Sequence, residues 1–127
     1  MKFHHLGIAC KDLELAKVWV SRMHSIVKEG KPVFDPLQNA TLVLLHTAEG
    51  LLIEMISGEQ VQHIVKRGTN FYHICYSVST IDQSVKDLEG KGAIVISSPK
   101  PAVLFDGRKV AFLHTPMGMI ELLEDES

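Results

Sequence analysis

A repeated motif constrains the fold of this chain more than any other feature of its sequence. "LHTAEGLLIEM" begins at Leu45, and the similar "LHTPMGMIELLE" begins at Leu113, 68 positions later. His5 and His73 have the same separation. Such a repeat is typical of one supersecondary unit used twice, in which neither copy buries its apolar face alone. We therefore expect two similar units in this chain of 127 residues.

Apolar spacing within each copy predicts a strand, a helix and then three strands, which gives two βαβββ units. The first unit should span about residues 1–58 and the second about 70–125, and the linker at 59–69 is compatible with a short helix. The predicted strands are 3–10, 26–33, 41–46 and 51–56 in the first unit and 71–78, 93–96, 109–114 and 119–123 in the second, and the predicted helices are 13–23 and 81–89. We expect one α+β domain over residues 1–127.

The composition argues against several classes of partner. The chain has 13 Lys and Arg residues against 15 Asp and Glu, and it has no basic run, so we expect no nucleic-acid partner. Its apolar stretches are shorter than a membrane span, and its first residues lack the pattern of a secretory signal. Cys10 and Cys75 lie in apolar segments and should be free thiols in a reducing compartment. We therefore expect a cytoplasmic protein without a membrane anchor.

The two predicted strands that carry histidine have one face lined by small residues. Side chains alternate along a strand, so His5 shares its face with Gly7 and Ala9. The equivalent face beside His73 carries a cysteine and a serine. Because small side chains fill little space, we expect these faces to leave room for a ligand.

Each repeat also places a glutamate in an apolar strand. Glu54 and Glu121 have apolar neighbours on their own faces, where an ionised carboxylate is costly unless it is paired or binds a metal. With His5 and His73 they give two imidazoles and two carboxylates at repeat-related positions. This donor set suits one divalent first-row metal ion.

Three segments give the chain a resemblance to a known superfamily: "HHLGIACKDLELA", "YHICYSVSTIDQSVKDLEGKGA" and "GRKVAFLHTPMGMIELLE". They resemble the vicinal oxygen chelate proteins, which include glyoxalase I, methylmalonyl-CoA epimerase, extradiol dioxygenases and bleomycin-resistance proteins, and they are most similar to the epimerases. The resemblance implies two tandem βαβββ units that form an open, curved, mixed sheet around a metal site. It implies a cobalt, nickel, zinc or manganese ion and a homodimer, and the implied metal ligands are His5, Glu54, His73 and Glu121.

The resemblance also implies a reaction. A metal-dependent epimerase, isomerase or lyase would remove a proton next to the carbonyl or thioester of a small-molecule or acyl-CoA substrate. Glu121 and Glu54 are the implied catalytic groups. The epimerases carry their second acid just before the third strand, where this chain has Leu37, and Asp35 is the nearest acid that could replace it. The best-matching activity is that of methylmalonyl-CoA epimerase.

Three other functions stay open. A glyoxalase I-like lyase would use an all-His/Glu ligand set such as this one. An Fe(II) dioxygenase needs two His and one carboxylate, and the second glutamate argues against it because it would fill an open position. A metal-free binding module of the antibiotic-resistance type would lack the full ligand set. Metal content separates this last function from the others, and oxygen uptake separates a dioxygenase from an epimerase or lyase.

The remaining histidines have simpler interpretations. His46 and His114 match in the repeat, but they precede turns, and we expect them to make turn hydrogen bonds. We expect His4 near solvent at the start of a strand. His24 and His63 have no counterpart in the repeat and should lie on the surface.

One basic group and one aromatic residue complete the candidates. Lys100, Arg108 and Lys109 would contact the phosphates of a coenzyme A substrate or lie in a solvated loop. Trp19 lies on the first predicted helix, where we expect it to be half-buried.

Overall fold

The chain folds into two units that have similar connectivity. The computed structural model describes residues 1–126. One unit is His5–Tyr72, and the other joins Met1–His4 to the residues from His73 onward. We call them the N-terminal unit and the C-terminal unit, and we assign a strand that crosses the boundary to the unit that holds most of its residues.

The N-terminal unit has a mixed sheet that packs against one amphipathic helix. Its elements are β1 (Lys2–Ala9), α1 (Leu13–Met23), β2 (Ile26–Glu29), β3 (Val33–Asp35), β4 (Ala40–Thr47) and β5 (Leu52–Gly58), followed by a 3₁₀ turn (Glu59–Val61) and α2 (Gln62–Lys66). The strands pair in the order β2, β4, β5 and β1, and β3 also pairs with β4. β1 and β5 are parallel, and the other pairs are antiparallel. The two strands that carry His5 and Glu54 are therefore neighbours.

The C-terminal unit repeats this arrangement. Its elements are β6 (Phe71–Val78), α3 (Ile81–Gly90), β7 (Ile94–Pro101), a 3₁₀ turn (Val103–Phe105), β8 (Lys109–Thr115) and β9 (Gly118–Glu124). The strands pair in the order β6, β9, β8 and β7, with β6 and β9 parallel. The strands that carry His73 and Glu121 are again neighbours.

Each unit buries its own core between its helix and one face of its sheet. In the N-terminal unit Leu13, Ala16 and Val20 of α1 pack against a cluster of buried residues, which are Cys10, Val43, Leu45, Ile53 and Met55. In the C-terminal unit the buried cluster consists of Val78, Ile81, Val85, Ala111, Leu113, Ile120 and Leu122. The opposite face of each sheet is left for other side chains, and it carries the buried histidines and glutamates.

The predicted α+β fold with an open, mixed sheet is confirmed, with one change in the N-terminal unit. The predicted strand at 26–33 divides into β2 and β3. Pro32 lies in the gap and has no N–H to donate to a strand ladder. Gly30 approaches β4 so closely that an added Cβ would lie 3.2 Å from the carbonyl oxygen of Leu44. Four strands therefore follow α1, where three were predicted.

Two further details differ from the sequence predictions. β7 is longer than predicted, and as the edge strand of its sheet it tolerates Pro99 and Pro101. Trp19 is not half-buried: it is 54% exposed, and the guanidinium of Arg22 lies 4.6 Å from its ring centroid. Within residues 1–126, no helix combines the length and the apolar character needed to cross a membrane.

Candidate metal centre

The N-terminal unit brings one histidine and one glutamate together in its sheet. In the parallel ladder of β1 and β5, Gly7 lies opposite Glu54, two residues after His5. Nε2 of His5 and Oε2 of Glu54 are 3.3 Å apart, and both side chains are almost fully buried. Because Gly7 has no side chain, the β1 residue paired with Glu54 places no side-chain atoms beside the carboxylate.

The C-terminal unit builds the equivalent pair from β6 and β9. Cys75 lies opposite Glu121 in the parallel ladder, two residues after His73. Nε2 of His73 and Oε1 of Glu121 are 3.1 Å apart, and both side chains are again almost fully buried. The ring of Phe112 packs edge-on against the imidazole of His73, with 5.4 Å between the centroids, which restricts its orientation.

The donors in each pair fit a transition-metal ion. Imidazole nitrogens and carboxylate oxygens bind such ions at about 2.1 Å, so two adjacent donors lie about 3.0 Å apart around an octahedral ion and about 3.4 Å apart around a tetrahedral one. The N–O separations of 3.3 and 3.1 Å fall in this range. A buried carboxylate also needs a positive or hydrogen-bonding partner. Each unit thus holds one imidazole and one carboxylate at the spacing of two metal ligands.

Asp35, the reserve acid, is engaged in a turn and lies away from Glu54. Its Oδ1 accepts a hydrogen bond from the backbone N–H of Leu37, and its Oδ2 accepts one from the side chain of Gln38, both at 2.9 Å. Asp35 pairs with Ala40 of β4, whereas Glu54 pairs with Leu44. Ala40 and Leu44 are four residues apart, which is about 13 Å along the strand. Leu37 itself is 70% exposed at this turn.

The three basic candidates do not form one patch. Nε of Arg108 donates a hydrogen bond to the backbone carbonyl of Glu124 at 2.8 Å, so this side chain lies against the end of β9. Lys100 lies opposite Val110, and Lys109 is the preceding residue of β8, so the two lysines point to opposite faces of the sheet. Of the two lysines, only Lys100 shares the face that carries Glu121.

The turn hydrogen bonds predicted for His46 and His114 come instead from the threonines that follow them. Thr47 Oγ1 donates to the carbonyl of Leu51 and accepts from its N–H. In the second copy the hydroxyl of Thr115 donates to the carbonyl of Gly118 and accepts from the N–H of Met117.

The strand register places both histidines on the glutamate faces. Leu44 of β4 lies opposite Glu54, and His46 is two residues further along the same strand. Phe112 of β8 lies opposite Glu121, and His114 is two residues further along. Lys28 of β2 lies beside His46 on the same face. Side-chain alternation gives the face of each histidine within its own strand. Placing that face beside Glu54 or Glu121 also requires the pairing of β4 with β5 and of β8 with β9.

The other histidines lie outside these pairs. His4 is half-buried, and its ring packs edge-on against Phe105, so its predicted position near solvent is only partly correct. His24 forms a surface hydrogen bond with Glu49, and this bond lowers the pKa of the Glu49 carboxyl. His63 is exposed, as predicted.

The two cysteines are free and buried. Burial raises the pKa of the Cys10 thiol from 9.0 to about 11, although its contact with the carbonyl of Ile56 opposes this change. Cys10 therefore stays protonated at neutral pH and is a poor nucleophile.

A protein-family model matches residues 4–112, which is most of the chain, and describes the Glyoxalase/Bleomycin resistance protein/Dioxygenase superfamily. The chain belongs to this superfamily. The match confirms the resemblance seen in the repeated motifs, and it covers both β1, which carries His5, and β6, which carries His73. No curated protein matches the chain.

Several solved structures share the superfamily fold with this chain. A methylmalonyl-CoA epimerase from Mycobacterium tuberculosis has a TM-score of 0.82 at 20% identity, and the match covers 99% of this chain and 89% of that chain. A hypothetical protein from Bacillus halodurans C-125 has a TM-score of 0.75 at 25% identity, covering 99% and 95%. A variant of a Streptomyces coelicolor methylmalonyl-CoA epimerase, in complex with 2-nitronate-propionyl-CoA, has a TM-score of 0.76 at 19% identity, covering 100% and 99%. At such identities the epimerases share the fold and leave the reaction of this chain open.

Proposed function

We propose that the two His/Glu pairs bind one divalent metal ion together and that the protein moves a proton on the carbon next to a carbonyl or thioester. One observation carries the proposal: each unit holds a buried imidazole and a buried carboxylate, about 3 Å apart, at repeat-related positions of the chain. Two such half-sites in a superfamily that includes the glyoxalases are best explained by a shared ion. His5, Glu54, His73 and Glu121 would be its ligands, and cobalt, nickel, zinc and manganese are the candidate ions.

A bound divalent ion would supply Lewis acidity, which polarises a substrate carbonyl and makes the neighbouring C–H more acidic. The chain supplies the groups that move the proton. In this proposal Glu121 removes the proton on one face of the substrate carbon, and Glu54, once its carboxyl has left the ion and carries a proton, serves the other face. Delivery of the Glu54 proton to the opposite face gives epimerisation, and delivery of a proton to a neighbouring carbon gives isomerisation.

The geometry of the N-terminal unit favours Glu54 over Asp35 as the second acid. Both oxygens of Asp35 accept hydrogen bonds that hold its turn, so its use as a base would cost the turn one of them. Glu54 already lies beside His5, and Leu44 is its cross-strand neighbour on β4.

An acyl-CoA thioester is the substrate class that we favour, with an activity like that of methylmalonyl-CoA epimerase. The relatives with bound acyl-CoA compounds support this class. Leu37 and the all-His/Glu donor set support a second candidate, a glyoxalase I-like lyase acting on hemithioacetals. Free, buried Cys10 and Cys75 support a reducing, cytoplasmic location for either reaction.

A solvent-exchange screen tests the reaction. The protein, loaded in turn with cobalt, nickel, zinc and manganese, is incubated in D₂O with branched acyl-CoA thioesters and with hemithioacetals. We expect deuterium to enter the α position of at least one substrate, and we expect the Glu121→Gln variant to lose this exchange for the stereoisomer whose proton Glu121 removes. If metal-loaded protein exchanges no substrate but consumes oxygen with a catechol, the dioxygenase alternative replaces the proposal. Tight small-molecule binding by a metal-free protein without turnover would favour the antibiotic-resistance type of module.

A further inference from the structure

Two polar side chains of the N-terminal unit, Lys28 and His46, are cross-strand neighbours that the proposed reaction does not use. The residues next to them show which way they point. The carboxylate of Glu29 lies 3.6 Å from the ammonium of Lys17 on α1, and Leu45 packs in the core under that helix. Because side chains alternate along a strand, Lys28 and His46 point to the opposite face of the sheet, away from α1.

The strand register gives the distance from this pair to the proposed acid. His46 lies opposite Leu52, and Glu54 is two residues further along β5. Neighbouring strands are about 4.8 Å apart and residues rise about 3.4 Å along a strand, so the Cα atom of Glu54 lies about 8 Å from that of His46 and about 12 Å from that of Lys28. The pair therefore lies on the face of the proposed reaction but several bond lengths away from the reacting carboxylate.

The surface between the pair and the carboxylate is apolar and only partly covered. Leu44 and Leu52 lie on this face, and both are half-buried. Gly30, two residues after Lys28, donates its N–H to the carbonyl of Leu44 at 2.8 Å and places no side chain on this face. An extended aliphatic chain can therefore lie over the two leucines, with one end at Glu54 and the other end at Lys28.

The fold itself does not engage the two polar side chains. In the described range 1–126, the side chains of Lys28 and His46 make no hydrogen bond or ion pair with another residue. Lys28 is exposed and His46 is half-buried. An ammonium group has three N–H donors, and an imidazole has at least one in either protonation state. Together they have the donors to bind one carboxylate or phosphate group.

The second repeat shows that the fold does not require a charge at the position of Lys28. The equivalent row of residues across β7, β8 and β9 is Ile94, His114 and Met119. Lysine on an edge strand often prevents edge-to-edge pairing, but the equivalent edge position here carries Ile94, which is 61% exposed. The combination of lysine and histidine is therefore a feature of the N-terminal unit alone.

We propose that Lys28 and His46 form a subsite for an anionic group, a carboxylate or a phosphate, at the far end of the substrate. The inference rests on the proposed function, because it takes Glu54 as the reacting end of the site. An acid group bonded to the reacting carbon itself would stay beside Glu54 and could not reach the pair. The subsite therefore selects substrates whose anion is joined to the reacting carbon by a spacer of several bonds.

A series of probes of increasing length measures this spacing. Hydroxamates chelate divalent ions, so they hold one end of a probe at the proposed metal. Zinc-loaded protein is titrated by calorimetry with aliphatic hydroxamates that end in a carboxylate, in a phosphate or in the neutral methyl ester of the carboxylate. At the best chain length we expect an anionic probe to bind about 5-fold tighter than the ester. The anion with the larger advantage identifies the group that the natural substrate carries.

Substitution of the lysine tests the assignment. Lys28→Met should remove most of the preference for the anionic probe and leave the affinity for the ester unchanged. The matched control is Lys31→Met, which removes an exposed positive charge from the same segment and should bind every probe like the parent. Lys28→Glu should reverse the preference, in favour of a hydroxamate that ends in an amine. Circular dichroism should show that the three variants keep the fold.

A metal-free measurement tests the subsite separately from the proposed function. The imidazole signals of His46, assigned by their loss in His46→Gln, are followed by NMR in metal-free protein during titration with propionate and with methyl phosphate. We expect one of the two anions to shift these signals in the parent and to shift them clearly less in Lys28→Met.

The combined results distinguish a failure of the subsite from a failure of the metal centre. Protein that binds no hydroxamate of any kind, but whose His46 signals respond to an anion, would contradict the metal centre and support the subsite. Equal affinities for anionic probes and esters at every chain length would overturn the subsite and leave the metal centre intact. A preference that survives Lys28→Met, or His46 signals that no anion shifts, would also overturn it.

Discussion

Nε2 of His73 lies 3.1 Å from Oε1 of Glu121, and neither side chain has appreciable exposure to solvent. A carboxylate at this depth is tolerated because a partner faces it. We therefore expect His73→Ala to destabilise the metal-free protein by about 3 kcal/mol, since it leaves the buried carboxylate without this partner and opens a cavity. Urea unfolding measures the change. His73→Ala/Glu121→Leu should recover part of the loss, and a single variant that costs under about 1 kcal/mol would contradict a coupled pair.

Glu54→Gln separates metal binding from proton transfer in the proposed site. The amide keeps an oxygen donor in place, but it cannot accept a proton at neutral pH. We expect the variant to retain metal and to exchange the α proton of one stereoisomer through Glu121. Interconversion of the two stereoisomers should fall by about 10²–10⁴-fold. Chiral chromatography of the product, together with NMR in D₂O, measures both reactions.

Asp35→Asn is the comparison for this experiment. Asparagine can still accept the hydrogen bond from the N–H of Leu37, although it loses the one from Gln38, so the turn should persist with one contact fewer. We expect Asp35→Asn to epimerise at a rate near that of the parent. Epimerisation that survives Glu54→Gln but fails in Asp35→Asn would assign the second acid to Asp35.

The two main helices begin in different ways, which gives a paired test of stability. The carboxylate of Asp12 accepts a hydrogen bond from the N–H of Leu15 at 3.1 Å, so Asp12→Ala should cost about 1 kcal/mol. Thr80 occupies the equivalent position before α3, but Glu124 accepts the N–H of Ile81 there. Thr80→Ala should therefore cost clearly less than Asp12→Ala. Equal losses in chemical denaturation would show that the Asp12 cap is not the stabilising contact.

The repeat made much of this structure predictable from sequence. The strand faces that carry His5 and His73 follow from alternation, and the helices α1 and α3 follow from apolar spacing and from turn residues. The break between β2 and β3 was missed because the apolar residues at the two ends of positions 26–33 were joined into one strand, whereas Pro32 removes the N–H that a continuous ladder would need. The exposure of Trp19 was not predicted because its spacing fits a helix but does not show whether other residues cover that face of the helix.

The turn contacts show a different limit. His46 and Thr47 are adjacent, so the sequence marks the turn, and strand pairing then decides which of the two side chains points toward it. Asp35 is similar, since its two turn hydrogen bonds depend on backbone geometry that no apolar pattern encodes.

Cys10 should make stability depend on alkaline pH. Its pKa is raised from 9.0 to about 11 by burial, so the unfolded chain ionises first as the pH rises. The stabilisation is therefore complete below pH 9.0 and declines between pH 9.0 and about 11, by about 2 kcal/mol in total. Urea unfolding of the parent and of Cys10→Ala at pH 8 and pH 11 measures the difference between the two proteins. A decline of the same size in both proteins would assign the effect to other groups.

Metal stoichiometry in single-unit variants tests most directly whether the two His/Glu pairs act as one site. Purified protein is loaded with zinc or cobalt, desalted and analysed for metal, and titration calorimetry gives the affinity of the parent, of His5→Ala and of His73→Ala. We expect one ion per chain in the parent and a loss of affinity of at least about 10-fold in each variant, because each removes one ligand from the same ion. Two ions per parent chain, with one ion still bound at parental affinity in each variant, would show two independent sites and contradict the shared centre.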